Sequence, residues 1–355
     1  MRSVLILFVV TLFSHVVNGQ SADSSRQKCY EKAFDRLCNL EREDGCFKDA
    51  VFTVENAYFN DQLNRQKFDN YIITLKDLCR SWSDFNKIHG YNYNDSTNFQ
   101  VNFSLYAVMK DTIKMVDTNA NKFYHLPFTY DFRDYAGNNN WANMFVSKLL
   151  ITHSGNCHSI PYLYKILADE LGASCWLALA PNHIYIKNRS EKIGWYNTEL
   201  TNGTFPVDGW IMASGYLPLQ AVQNGIYMDT LSNQASIALC LLDLAKGYEH
   251  ITGNYNDGFI LKCCDSSLKY FPLNILAMLL KAETLQRIYQ SHQNKGDKYA
   301  AMTYQEMESI YVRLFDLGYR EMPEKMYLDW LQSINKEKMK YEDSRITGTI
   351  HTNAK

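Results

Sequence analysis

Two short motifs in this chain can do covalent chemistry together: Ser154-Gly155-Asn156-Cys157-His158-Ser159 and, further along, Asn182-His183-Ile184-Tyr185-Ile186. The chemistry is nucleophilic attack by a thiolate. The thiolate is the reactive form of cysteine, and the N-terminus of a helix stabilises its negative charge. A histidine within hydrogen-bond reach takes the proton, and a third group orients that histidine. The chain offers these parts in the order Cys157, His183, acid.

The elements that must position them are readable from spacing. After Cys157, the apolar residues Ile160, Leu163, Tyr164, Leu167 and Leu171 recur at helical intervals, and Gly172 closes the segment. Pro161 falls in the first turn, where its missing N–H costs little. Cys157 is therefore expected at or just before the helix start, with Gly155 and Asn156 suited to a tight approach. Ser174 to Ala180 reads as a short apolar strand, interrupted by Pro181-Asn182. His183 to Asn188 alternates, with His183, Tyr185 and Lys187 on one face. Arg189 to Gly194 is turn-like, and Trp195 to Leu200 is the next strand.

Antiparallel pairing about a turn centred near Glu191 sets His183 opposite Glu199, and Asn197 opposite Tyr185 on the same face. Glu199 is then the favoured orienting acid, with Asn197 as its substitute. Asp208, in Phe205-Pro206-Val207-Asp208-Gly209-Trp210, is a further candidate, although an aspartate before glycine in a turn is more often structural. A one-residue slip would send the strand's side chains to the other face and remove Glu199 from reach.

The segment from about Trp141 to Trp210 resembles the transglutaminase-like superfamily of papain-like thiol enzymes. The matching residues are Gly155-Asn156-Cys157, the apolar helix ending Leu171-Gly172, Asn182-His183-Ile184-Tyr185-Ile186 and Trp195-Tyr196-Asn197-Thr198-Glu199. The resemblance implies an α+β fold: a papain/transglutaminase-like core in which a helix bearing the cysteine packs on a small antiparallel sheet. Helical N- and C-terminal regions flank it here. It also implies Cys157 as nucleophile and His183 as base. The family's orienting aspartate commonly lies four residues after a tryptophan, and this chain has Glu199 at that position. The implied reaction is acyl transfer or hydrolysis at protein or peptide amides through a thioester. The backbone N–H of Cys157 is the natural oxyanion donor at a helix start. No second donor is identifiable in sequence. Trp141 lies upstream, in a context where an indole is more often simply packed.

Blander readings compete with these. A cysteine at a helix start is usually a small buried apolar residue, and a strand histidine is usually a satisfied polar group. Order and spacing together argue for the thiol site. His158 adjoins Cys157 and so faces elsewhere on the helix. His153, Cys157, His158 and His183 lack paired metal-ligand spacing, so no metal is expected. No Gly-rich phosphate loop follows a strand and no EF-hand loop appears, so no cofactor is expected either. The competing class is a catalytically silent fold that binds a protein partner through its C-terminal helices. The glutamate at 199 and the missing second oxyanion donor favour it.

Composition bounds the setting. The chain has 355 residues, 46% of them hydrophobic and 21% charged, with a net charge of −2. These values describe a globular protein with no basic field for nucleic acid. Arg2, the apolar run Val4 to Phe13 and the small Gly19 read as a signal peptide over 1–19, cleaved before Gln20. The expectation is an exported protein, periplasmic or secreted, and no later stretch approaches the roughly eighteen apolar residues of a membrane span. Of nine cysteines, Cys29, Cys38, Cys46 and Cys79 lie close enough in sequence to form two bridges, and the odd count leaves at least one thiol free. Asn94, Asn102, Asn188 and Asn202 each begin an N-glycosylation acceptor pattern.

Around the thiol core, taken as 136–231, the chain divides into three further parts. Residues 20–135 are mainly helical, with Phe47, Val51, Val54 and Tyr58, then Phe68, Ile72, Leu75 and Leu78, marking amphipathic segments. Within this part Tyr91 to Phe103 reads as a loop or strand edge, and Ser104 to Val116 as helix. His125 to Asn140 is irregular, and Trp141 to Leu150 is the leading helix of the core. Residues 232–340 read as helix pairs similar to degenerate tetratricopeptide repeats, with a plain helical bundle as the equal alternative. Residues 341–355 are polar and expected to be frayed.

Overall fold

The apolar spacing of the N-terminal part folds as four helices: α1 (25–42), α2 (Phe47–Tyr58), α3 (Arg65–Phe85) and α4 (Ser96–Lys110). The computed structural model describes residues 25–116, 119–292, 298–336 and 340–351. The expected signal peptide, 1–19, lies outside them.

Two readings in this part are corrected. Helix α4 begins at Ser96, inside the stretch expected to be a loop, and ends at Lys110. Its polar residues are structural: Asn102 is buried, donates to the carbonyls of Asn98 and Ser174, and accepts from Tyr164 Oη. The end expected to be helical is instead strand β1 (Ile113–Val116), paired antiparallel with β2 (Lys122–His125).

The middle of the chain holds the sheets. Strand β3 (Thr129–Tyr130) pairs in parallel with β4 (Ser154–Gly155). The expected leading helix is broken in two: a 3-10 turn over Trp141–Met144, then α5 (Val146–Thr152), with Phe145 extended between them. Glu55 from α2 caps α5, its two carboxylate oxygens accepting the N–H groups of Val146 and Ser147 at 2.7 and 2.8 Å. Helix α6 (Ser159–Leu171) is followed by a three-stranded antiparallel sheet, β5 (Trp176–Ala180), β6 (His183–Ser190) and β7 (Gly194–Thr198). Two short helices, α7 (Asp208–Ser214) and α8 (Leu219–Gln223), close this part.

The C-terminal part is helical: α9 (Asn233–Thr252), α10 (Phe259–Tyr270), α11 (Ile275–His292), α12 (Lys298–Asp316) and α13 (Glu324–Lys336). Ser232 caps α9 through Oγ, which accepts the Ala235 N–H at 3.0 Å. Helix α10 packs on α9, α11 on α10 and α12 on α11, and α9 also packs on α2. Part of the tail expected to be frayed is helical: α14 (Ser344–His351) is seated by buried Ile346, and Asp343 N–H donates to the Phe205 carbonyl at 2.7 Å, while residues 352–355 lie outside the described residues.

The fold is α+β, with small sheets set among helices. One continuous hydrophobic core runs from Tyr30 through Leu163 and Leu241 to Leu331, so the N-terminal, middle and C-terminal parts are packed together. All nine cysteines are free thiols, and the bridges expected among Cys29, Cys38, Cys46 and Cys79 are not formed. Among the described residues, no helix is long and apolar enough to cross a membrane.

Candidate thiol site

Cys157 stands two residues before the first residue of α6. The turn that presents it is built by its neighbours. Asn156 Oδ1 accepts the N–H groups of His158 and Ser159 at 3.0 and 3.3 Å, satisfying donors that a helix start leaves free. Asn156 Nδ2 donates to the Tyr135 carbonyl at 2.9 Å. Ser159 Oγ accepts from Asn156 N–H and donates to the Asn143 carbonyl. Gly155 is required here, because a Cβ would overlap Ser159 Oγ and crowd Leu149.

His183 is delivered by a tight hairpin. Ala180 pairs with His183, so Pro181-Asn182 is the whole turn, and Asn182 takes the left-handed conformation that asparagine tolerates (φ 54°). The Asn182 carbonyl oxygen lies 3.7 Å from Cys157 Sγ.

The β6–β7 register differs from the expected one by two residues. Ser190 pairs with Gly194 and Lys187 with Asn197, so the turn centres on residue 192 rather than 191. A slip of two keeps every side chain on its face. Glu199 therefore stays on the His183 face as a diagonal neighbour. It is held just past β7 by paired backbone bonds with Thr204 at 2.8 and 3.0 Å. His183 Nε2 bonds Glu199 Oε2 at 2.6 Å, and Glu199 Oε1 accepts the Thr201 N–H at 2.7 Å. Asn197 faces Lys187, not Tyr185. Its Nδ2 donates to the Pro206 carbonyl and to Asp208 Oδ1 at 2.9 and 2.8 Å. Asn197 and Asp208 thus bond one another and are not the partners of His183.

With Nε2 taken by the carboxylate, His183 has Nδ1 left, buried and without a hydrogen-bond partner in the protein. Cys157 and His183 are electrostatically coupled, and each shifts the other. Burial pushes the Cys157 thiol up, but its interaction with His183, with help from Tyr327 and His158, brings it below its ordinary value. Burial alone would push His183 down, yet the Glu199 carboxylate and the Cys157 sulfur raise it to about 10. Burial would raise Glu199, but the charge and hydrogen bond of His183 hold it below the usual carboxylate range. These directions favour the thiolate–imidazolium form of the pair, with the imidazolium braced by a carboxylate.

Three aromatic residues that sequence reasoning did not single out complete the site. Tyr327 Oη of α13 lies 3.5 Å from Cys157 Sγ. Trp330, one turn further along α13, sets its ring at 81° to the His183 imidazole, centroids 4.7 Å apart. Tyr130 of β3 faces the same sulfur, with its Oη buried and lacking a hydrogen-bond partner. Burial and the sulfur's charge hold both phenols well above their ordinary range, so both are protonated donors. Nothing local in sequence marks them, since they reach the site from strands and helices distant along the chain. A groove of about 790 Å³ runs beside Trp330, between α7 and α13, with Trp210, Tyr216 and Met326 on its walls.

His158 faces away from His183, as expected, toward Met144 and Asp243. Trp141 stacks on His250 with centroids 5.0 Å apart and is a packed residue. Comparison with family models, curated proteins and solved structures finds no match to this chain.

Proposed function

We propose that this protein is an exported, transglutaminase-like thiol enzyme. It performs acyl transfer or hydrolysis at protein or peptide amides through Cys157, His183 and Glu199. The observation that carries the reading is the division of the imidazole: Nε2 on Glu199 at 2.6 Å, and Nδ1 left for the thiol. Export rests on the N-terminal segment Arg2 to Gly19 alone.

The chemistry follows from these contacts. The Cys157 thiolate attacks the amide carbonyl carbon, and the carbonyl π pair moves to oxygen. The Cys157 backbone N–H and the Tyr130 hydroxyl are the donors available to that oxyanion. Collapse of the adduct expels the amine, which takes the Nδ1 proton of His183, and leaves a thioester on Cys157. Nδ1 then accepts a proton from water or an acceptor amine as that nucleophile's lone pair attacks the thioester, and collapse of the second adduct breaks the C–S bond, releasing the acid or new amide and restoring the Cys157 thiolate beside the imidazolium. Glu199 keeps the ring oriented and stabilises the imidazolium in each half. The groove along α7 and α13 is the approach for an extended chain, and Trp330 stands at its junction with His183.

The test is direct. A glutamine-containing peptide, with and without a small primary amine, is mixed with the protein, and the mass of the Cys157 peptide is followed with time. A thioester adduct that is absent in His183→Ala supports the reading. A parent protein that releases no ammonia and carries no adduct contradicts it.

A second reading has its own observation. Tyr327 and Trp330 cover the thiol and imidazole and are themselves buried. A silent fold that binds a protein through its C-terminal helices would keep that cover closed. It predicts a Cys157 that resists small alkylating agents.

A further inference from the structure

His158 adjoins the nucleophile, and the mechanism above gives it no role. Its surroundings fix its protonation. Nδ1 lies 2.8 Å from the Met144 carbonyl oxygen, and Nε2 lies 2.9 Å from Asp243 Oδ1. A neutral imidazole has one N–H and one bare acceptor nitrogen. A carbonyl oxygen carries no proton, so Nδ1 must donate. Asp243 has both oxygens engaged, since Oδ2 accepts from Tyr162 Oη at 2.9 Å. A carboxylate offers only acceptor oxygens, so Nε2 must donate as well. Both ring nitrogens therefore carry protons.

We infer that His158 is a fixed imidazolium, held by Asp243 of α9 and the Met144 carbonyl, which supports the Cys157 thiolate as a second positive charge beside that of His183. It acts through Cys157 and is a positioning residue, not one that touches substrate. The inference rests on the thiol reading of the site.

The setting strengthens such a charge. A cavity of about 130 Å³ borders His158, walled chiefly by apolar side chains that include Val51, Val54, Phe145, Leu239 and Leu242. Charges act further where water is scarce. The titratable groups facing His158 are Glu55 from α2, Tyr162 from α6, Cys240, Asp243 and Lys246 from α9, and Cys157 itself. Glu55 already spends both oxygens on the N-terminus of α5 and does not compete for the ring nitrogens, and burial raises it to about 7. Burial would push His158 down, but Asp243 and the Met144 carbonyl raise it above its ordinary value. Asp243 is the one polar residue in the otherwise apolar run Ile237 to Ala245, and this contact accounts for it. The C-terminal helical part thus supplies a piece of the thiol site.

The experiment is the pH dependence of Cys157 alkylation by iodoacetamide in the parent, His158→Gln and Asp243→Asn, each checked for parent-like folding by circular dichroism. Ring 15N NMR of the parent at pH 8 accompanies it. Both variants are expected to raise the alkylation midpoint by about one pH unit, a roughly tenfold slower reaction below it. NMR is expected to show two ring protons on His158. Folded variants with the parent's midpoint would overturn the inference, as would a singly protonated His158. If neither variant folds, the NMR result on the parent decides. An unreactive Cys157 in the parent instead sinks the thiol reading itself, so the two failures are distinguishable.

Discussion

His183 Nε2 and Glu199 Oε2 are 2.6 Å apart with side chains only 2% and 5% exposed, a buried ion pair at the end of a three-stranded sheet. The extra methylene of a glutamate, relative to an aspartate, is used: one carboxylate oxygen meets the imidazole while the other takes the Thr201 N–H. Breaking a buried pair by neutralising one member leaves the other charge unsolvated.

Glu199→Gln is therefore expected to destabilise the fold by about 3–5 kcal/mol and to raise the Cys157 thiol toward its ordinary range. Urea unfolding and alkylation rates measure the two effects. Glu199→Asp is expected to lose one of the two contacts and fall between parent and Gln. Unchanged stability in Glu199→Gln would argue that the pair is neutral in the folded state.

The pH dependence of stability follows from the signs. His183 is raised to about 10, so its contribution is complete below the ordinary imidazole value and is lost as pH climbs through about 10. Glu199 is lowered, so its contribution is complete above the ordinary carboxylate value and is lost as pH falls through its depressed folded value. Cys157, also lowered, loses its contribution as pH falls through its own depressed value. Unfolding free energy measured across pH should show an alkaline decline, to which buried thiols and phenols raised by burial also contribute, that is shallower in His183→Ala. An identical decline in that variant would contradict the assignment.

Tyr327→Phe removes the hydroxyl that lies 3.5 Å from the sulfur and helps lower the thiol. A hydrogen bond to a charged group contributes about 1.5–3 kcal/mol at good geometry and less at this long contact, so the alkylation midpoint should rise by about one unit at most. Tyr327→Ala and Trp330→Ala should instead speed alkylation above the midpoint by uncovering the site. Slower reaction in both alanine variants would mean that these rings hold the pair in place rather than cover it.

The pattern around Cys157 and His183 was legible because its signals are local. Helical spacing placed Cys157 at the start of α6, with Pro161 in the first turn and Gly172 (φ 70°) at the end. Strand alternation put His183 and Glu199 on one face, and the face survived a two-residue error in register because side chains alternate with period two. What was illegible depends on long-range packing. Asn102 reads as a loop residue until Tyr164 and Ser174 arrive as its partners. Tyr130, Tyr327 and Trp330 look like core aromatics, and only the fold brings them to one sulfur. Ile346 lies in a polar tail whose order depends on a bridge between Pro206 and Glu342.

Gly155→Ala tests the turn that presents the thiol. The added Cβ would overlap Ser159 Oγ, itself bonded to Asn143 and Asn156, so relief by a rotamer change costs those bonds. A loss of about 1–3 kcal/mol is expected from overpacking, with slower alkylation at Cys157. A thermal melt superposable on the parent's would show that the turn has room to spare.

Of the four glycosylation patterns, Asn102 and Asn188 are buried, and Asn188 Nδ2 donates to Thr198 Oγ1 at 2.9 Å. Glycans on protein from a glycosylating secretory host are expected at Asn94 or Asn202 and not at those two. Occupied Asn102 or Asn188 in folded protein would contradict the packing of α4 and β6.

The central claim is that Cys157 is an activated thiolate paired with His183. The most direct measurement is its alkylation rate across pH, for the parent beside His183→Ala and Glu199→Gln. The account predicts reaction well below the ordinary cysteine pKa of about 8.5, with the low-pH reactivity lost in His183→Ala and reduced in Glu199→Gln. A Cys157 that reacts only above that value, or whose profile ignores His183, would contradict it.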